Sequence, residues 1–238
     1  MFENLMQLTA ACWPFMLLIA VIAYLFGSIN FAILITRRVS KQDIRDIGSG
    51  NAGMTNVLRS QGKGPAVLTT LGDVGKSLAA CFVGGLVLKA VYANVADPAM
   101  TPHQVEIAGR YLAGLCCTLG HTFPVFFGFR GGKGVLVGFG MLVAVDWRVG
   151  LIALLVFVAV VAASRMVSLG SLCGAASSVL STWLLGWLAN GWDGGTVLAC
   201  TLMTAIVVSI LFIMHRGNIQ RIASGTERKL SFGSKKEG

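Results

Sequence analysis

The segment Trp13-Pro14-Phe15-Met16-Leu17-Leu18-Ile19-Ala20-Val21-Ile22-Ala23-Tyr24-Leu25-Phe26-Gly27-Ser28-Ile29-Asn30-Phe31-Ala32-Ile33-Leu34-Ile35 decides the fold class. It is apolar and carries no Asp, Glu, Lys or Arg. A helix that crosses a bilayer needs about 20 such residues. Further apolar runs follow at Ser77 to Val95, with a possible start near Pro65, and at Ile107 to Phe127. Gly134 to Val145 and Leu151 to Ala163 are shorter and flank Asp146-Trp147-Arg148. Val167 to Leu188 and Thr196 to Met214 complete the set. The fold class expected is all-α: a polytopic transmembrane helix bundle of about seven spans. The short fourth and fifth runs are either two spans or one re-entrant pair.

Composition agrees. Of 238 residues, 55% are hydrophobic and 12% charged, with a mean hydropathy of +0.76. Soluble domains carry about 25% charged residues. No long polar segment separates two cores, so residues 1–238 read as one membrane domain with a short basic tail from about 216 to 238. The N-terminus, Met1-Phe2-Glu3-Asn4, lacks the positive region of a signal peptide, so the first run is expected to remain as a helix. The six cysteines all lie in apolar runs without a C-x-x-C pair and read as small buried hydrophobes. No metal site and no internal repeat is visible.

The basic residues set the orientation. With the N-terminus outside and the spans alternating, sixteen of the 19 Lys and Arg fall inside, and only Lys89, Arg110 and Arg148 outside. The C-terminus is then cytoplasmic. The net charge of +9 sits between apolar runs and lacks aromatics spaced for base stacking, which excludes nucleic acid as the partner. Anionic lipid headgroups and phosphorylated substrates suit it better.

Every unusual polar stretch then lies on the cytoplasmic side. The first is Gly48-Ser49-Gly50-Asn51-Ala52-Gly53-Met54-Thr55-Asn56-Val57-Leu58-Arg59. Glycines let backbone N–H groups approach an anion, and Arg59 adds a bidentate phosphate contact. A flexible loop or a capped helix start is the plainer alternative. The second stretch is Gly120-His121-Thr122-Phe123-Pro124-Val125-Phe126-Phe127-Gly128-Phe129-Arg130-Gly131-Gly132-Lys133-Gly134. Its Gly131-Gly132-Lys133-Gly134 precedes an apolar helix, whose N-terminus attracts phosphate. It is not a Walker A loop, because Ser or Thr does not follow Lys133. The plainer alternatives are a snorkelling Lys133 and a hydrogen-bonded helix-end His121. Third, Arg165, Ser168 and Ser171 have near-helical spacing and are able to face one site, although serines there also bond to helix backbone. Fourth, His215 and Asn218 stand three apart on a helix. Asp73, an acid at the edge of a span, is a functional candidate, with a salt bridge to Lys76 as the alternative.

Together these stretches resemble the bacterial acyl-phosphate:glycerol-3-phosphate acyltransferase family. The likeness runs from Gly27-Ser28 to Gly225-Thr226-Glu227. G-S-G-N-x-G-x-T-N-x-x-R is met by Gly48 to Arg59, and G-H-x-F-P-V-F-x-x-F-x-G-G-K-G-V by Gly120 to Val135. Arg165 with Ser168 to Ser171, and H-x-x-N-I-x-R at His215 to Arg221, follow in order. Met54, Leu136 and Val137 depart from the usual residues and remove no polar group.

The resemblance implies a reaction. The 1-hydroxyl of sn-glycerol 3-phosphate attacks a fatty acyl-phosphate, giving lysophosphatidic acid and inorganic phosphate at the inner face of the bacterial plasma membrane. No cofactor and no obligate protein partner is implied beyond the two substrates and membrane lipid. Catalytic candidates are Ser49, Asn51, Asn56, Asp73 and His121. Substrate-binding candidates are Gly50, Gly53, Thr55, Arg59, Gly131, Gly132, Lys133, Gly134, Arg165, Ser168, Ser171, His215 and Asn218. The proton acceptor is a phosphate oxygen of a substrate, His121 or Asp73. Two commoner acyl-transfer devices, H-x-x-x-x-D and G-x-S-x-G, are absent.

Overall fold

The computed structural model describes residues 2–95 and 98–230, omitting the side chains of residues 2, 3 and 5. Asp97, on the expected outer side, and the tail beyond residue 230 lie outside the described residues. The described chain is helical, without strands. Its helices are α1 (Phe2–Gly27), α2 (Phe31–Ser40), α3 (Met54–Gln61), α4 (Lys63–Tyr92), α5 (Pro102–Thr122), α6 (Val135–Val145), α7 (Trp147–Ser164), α8 (Val167–Leu188), α9 (Gly194–Met214) and α10 (Arg216–Ala223).

Two helical groups meet at α6. In the first, α1, α4 and α5 pack together around Leu8, Cys12, Ile19, Leu88, Val105 and Cys117. Close approach depends on small residues: a Cβ at Gly109 would stand 2.5 Å from the carbonyl oxygen of Gly84. In the second, α7, α8 and α9 pack in sequence, and α6 bridges back to α4 and α5. The outward surface is apolar; Leu17, Ile22, Leu71, Leu86, Leu155 and Ile213 are exposed, as a lipid-facing surface requires. The chain is a multi-pass membrane protein: the segment Met6–Ser40 and the helices α4, α7, α8 and α9 are long and apolar enough to cross a bilayer. At 11 residues α6 is about 16 Å long, short of the ~30 Å hydrocarbon core.

Several boundaries differ from the sequence expectation: α1 begins at Phe2 rather than Trp13, and the run expected from Ile107 to Phe127 is α5, which starts at Pro102 and ends at Thr122. The run from Trp13 to Ile35 is not one helix. It breaks at residues 28–30, where the Asn30 side chain accepts from the Ile33 N–H and caps α2. The second expected run forms α4, which begins at Lys63, near the alternative start at Pro65, rather than at Ser77. Its early turns carry Thr69, Asp73 and Lys76, all buried in protein. The three cations assigned to the outer side are each ion-paired: Lys89 and Arg110 with Glu106, and Arg148 with Asp146.

Candidate active site

At one end of the bundle α5 and α9 end, while α6 and α8 begin. A cavity of about 830 Å³ opens there, and two loops wall its mouth. The first, residues 41–53, is built on Arg45. Its guanidinium grips both oxygens of Asp43 at 2.9 Å and donates to the Phe127 carbonyl at 2.7 Å, which joins the two loops. Those hydrogen bonds from Arg45 hold the Asp43 carboxyl far below the usual range.

Asn56 braces the same loop from inside. Its amide donates to the carbonyls of Ile44, Ile47 and Asn51 at 3.1, 2.8 and 3.2 Å. Its Oδ1 accepts from the Ser49 N–H at 3.1 Å. Asn56, one of the catalytic candidates, thus has its amide engaged by the loop. By contrast, the side chains of Ser49, Asn51, Thr55 and Arg59 line the cavity and have no hydrogen-bond partner among the described residues.

The second loop, residues 123–134, folds back on the end of α5. The N–H groups of Gly131 and Gly132 donate to the carbonyls of Thr122 and His121 at 3.1 and 3.2 Å. Neither glycine lines the cavity. The expectation that they present N–H groups to phosphate is corrected, since both donors are taken. They serve close packing instead. A Cβ on Gly132 would lie 2.3 Å from His121 Nε2 and 2.5 Å from the Ala52 oxygen. Lys133 and Gly134 do line the cavity.

Behind the loops lies a buried ionic cluster. Lys76 Nζ is 2.9 Å from Asp73 Oδ1, 3.1 Å from His121 Nδ1, and donates to the carbonyls of Gly27 and Ile29 at 3.0 and 2.6 Å. One ammonium thus holds the α1–α2 break against α4 and α5. Asp73 and His121 both line the cavity while engaged in this cluster.

The opposite wall comes from α8, α9 and α10. Ser168 Oγ and Asn218 Nδ2 both donate to Glu227 Oε1, at 2.8 and 2.7 Å. Arg221 Nε donates to Glu227 Oε2 at 2.8 Å, and Lys133 bonds to Asn218 Oδ1. Burial opposes charge on Glu227, but the bonds from Ser168, Asn218 and Arg221 outweigh it and keep the carboxyl below its ordinary range. Burial pulls Lys133 down to about 8, and the Arg221 charge adds to this. Burial also pushes His215 down to about 4, against the bond to Leu211. His215 Nδ1 stands 2.8 Å from the Leu211 carbonyl, which only accepts. So Nδ1 carries the hydrogen, and Nε2 is an acceptor at the cavity wall.

Of the candidates, Ser49, Gly50, Asn51, Gly53, Thr55, Asn56, Arg59, Asp73, His121, Lys133, Gly134, Ser168, Ser171, His215 and Asn218 share this one cavity. Gly131, Gly132 and Arg165 do not. Arg165 sits in the left-handed region at φ 60° with its side chain exposed; its carbonyl accepts from the Leu230 N–H at 2.8 Å. It pins the returning tail instead of facing Ser168. Arg216, Arg221, Glu227 and Arg228 line the cavity without having been singled out as site residues. Gly225, with φ 71°, is the turn that brings Glu227 back, and was the available signal.

The mouth thus gathers five cations, Arg59, Lys133, Arg216, Arg221 and Arg228, against the carboxylates of Asp73 and Glu227. It suits anions, and the apolar depth beyond suits a hydrocarbon chain. Comparison with known proteins converges on the same chemistry. The family model described as glycerol-3-phosphate acyltransferase matches residues 17–225. Proteins named glycerol-3-phosphate acyltransferase from Clostridioides difficile (strain 630) and Jannaschia sp. (strain CCS1) are 38% and 39% identical. These matches cover 93% and 90% of this chain, and 97% and 92% of theirs. The crystal structure of PlsY (YgiH), an integral membrane glycerol 3-phosphate acyltransferase, in its glycerol 3-phosphate form superposes with a TM-score of 0.74 at 32% identity. That superposition covers 91% of this chain and 96% of the other. The lysophosphatidic acid form gives a TM-score of 0.72 at 31% identity, over 91% and 95% of the two chains. With a match of this extent over both wall loops and the helices behind them, the chain belongs to the glycerol-3-phosphate acyltransferase family.

Proposed function

We propose that this enzyme transfers a fatty acyl group from acyl-phosphate to the 1-hydroxyl of sn-glycerol 3-phosphate. The observation that carries the reading is one cavity that combines a cationic mouth with an apolar depth. Both substrates bring phosphate and one brings a long chain. The likeness to PlsY in its glycerol 3-phosphate and lysophosphatidic acid forms supports the acceptor and product.

The roles follow from which groups are free. Arg59, Ser49, Asn51 and Thr55 receive the acyl-phosphate and donate to its carbonyl oxygen as that oxygen gains charge. Lys133, Asn218 and Arg221 receive the phosphate of the acceptor with the N–H groups they keep free, while Glu227, tied to Ser168, holds Asn218 and Arg221 in place beforehand. His215 Nε2 accepts from a glycerol hydroxyl. The acceptor O1 bonds to the acyl carbon, the carbon–oxygen bond to phosphate breaks, and the hydroxyl proton leaves with the phosphate. Asp73 and His121 are committed to Lys76, which favours a substrate phosphate oxygen as the proton acceptor. Acyl-phosphate is a mixed anhydride, so positioning and charge stabilisation supply most of the rate. The reaction belongs at the bacterial plasma membrane, carried out by one membrane domain, and the bias of basic residues supports a cytoplasmic side for this mouth.

Purified protein given palmitoyl-phosphate and radiolabelled glycerol 3-phosphate is expected to form labelled lysophosphatidic acid with an equal amount of inorganic phosphate. Folded protein that forms neither would overturn the reading.

A further inference from the structure

Beyond its mouth the cavity continues as an apolar slot among α6, α7, α8 and α9. These helices pack in sequence, but α6 meets α9 only loosely and neither diagonal pair packs closely, which leaves the centre open. Two walls give its depth. Ser178 lies ten residues along α8 from Ser168, and Thr204 lies eleven residues before His215 on α9. At ~1.5 Å per residue these are depths of about 15 and 16 Å.

Paired hydroxyls lie beside its far end. Thr204 Oγ1 meets Tyr111 Oη at 2.9 Å and Thr182 Oγ1 at 3.4 Å. Leu142 lines both the slot and a separate void of about 10 Å³, bounded by Tyr111, Val145, Thr182 and Trp192 and, on its polar side, by Asp146 and Asn190. Its side chain is therefore the partition between the two spaces. One turn nearer the mouth, Gly138 leaves the bore clear: a Cβ there would meet only Val207 Cγ1, at 3.8 Å.

We propose that Gly138 and Leu142 determine acyl-chain length, Gly138 by keeping the slot passable and Leu142 by ending it. This rests on the acyltransferase reading above. With ~1.5 Å carbon–carbon bonds an extended chain advances ~1.25 Å per carbon, so the slot takes about a dozen carbons. Until it is full, each added methylene is expected to raise kcat/KM by up to about fourfold. Beyond that, further carbons find no slot wall to cover.

The test uses purified full-length protein and saturated acyl-phosphates from eight to eighteen carbons. Wild-type kcat/KM is expected to climb to about twelve carbons and then level. Gly138→Leu moves the levelling point to shorter donors and lowers the sixteen-to-eight-carbon ratio tenfold or more. Leu142→Ala joins the slot to the void, moves the point to longer donors and raises that ratio. Dividing each profile by the wild-type profile cancels partitioning into detergent. Variant profiles parallel to the wild type overturn the ruler. If Gly138→Leu does not fold, the opposite sign expected of Leu142→Ala decides alone. No product from wild type at any chain length is a different result and overturns the acyltransferase reading itself.

Discussion

The Ser168 hydroxyl donates to Glu227 Oε1 at 2.8 Å, joining the start of α8 to the tail that follows α10. The same oxygen takes the Asn218 amide at 2.7 Å. A carboxylate thus orders, in advance of substrate, donors that suit phosphate. Glu227→Ala releases all of them and the tail together. The KM for glycerol 3-phosphate should rise about tenfold, near 1.4 kcal/mol, with a smaller effect on kcat. Trypsin should also cut faster at Arg228. Glu227→Gln keeps an acceptor for both donors and should lie between. Steady-state kinetics and a digestion time course check this; unchanged KM in Glu227→Ala would remove Glu227 from the site.

Lys133 makes opposite predictions for activity and stability. Burial holds its ammonium down to about 8, below the ordinary lysine value. Its cation, and with it phosphate binding, is lost as pH rises through 8, so kcat/KM for glycerol 3-phosphate should fall on an alkaline limb near that value. Unfolded chain keeps the proton up to about 10.4, so folding stability should rise between pH 8 and that point, by up to about 3 kcal/mol. Lys133→Met should lack both trends and lose on the order of 10²-fold in kcat/KM. Paired pH series of activity and thermal unfolding on the two proteins are the measurement. Identical alkaline limbs would assign the titration to another group.

The Lys76–Asp73 pair is the clearest structural contribution of charge. Both side chains are about 1% exposed and stand 2.9 Å apart. Removing one partner leaves a buried charge alone, at a cost of about 3–5 kcal/mol. Lys76→Met and Asp73→Asn should each lower Tm strongly, and the double variant should fall well short of their sum. Additive losses in a double-mutant cycle would mean that the pair is not coupled.

The sequence reading succeeded where hydropathy and helix ends coincide. The expected run from Val167 to Leu188 has the bounds of α8, and α9 begins only two residues before the expected Thr196. It failed where polar residues are buried in protein. Thr69, Asp73 and Lys76 lower the average over the start of α4, so the run seemed to begin at Ser77. Ser28 and Asn30 had too little weight inside an apolar run to reveal the α1–α2 break. In the site, residue types singled out side chains that the fold gathers at one cavity, but not which groups remain free. Asn56, Gly131 and Gly132 carry the right chemistry, yet their donors hold the loops together. Glu227 was hidden because its partners Ser168 and Asn218 are brought to it only by the tail folding back.

The central claim is that a phosphate-activated acyl group reacts at this mouth, and donor choice tests it most directly. Purified protein and radiolabelled glycerol 3-phosphate are supplied in parallel with palmitoyl-phosphate, palmitoyl-CoA and palmitoyl carrier protein. The expected result is label in lysophosphatidic acid with palmitoyl-phosphate alone. Label appearing with palmitoyl-CoA or the carrier protein, and not with palmitoyl-phosphate, would contradict the account.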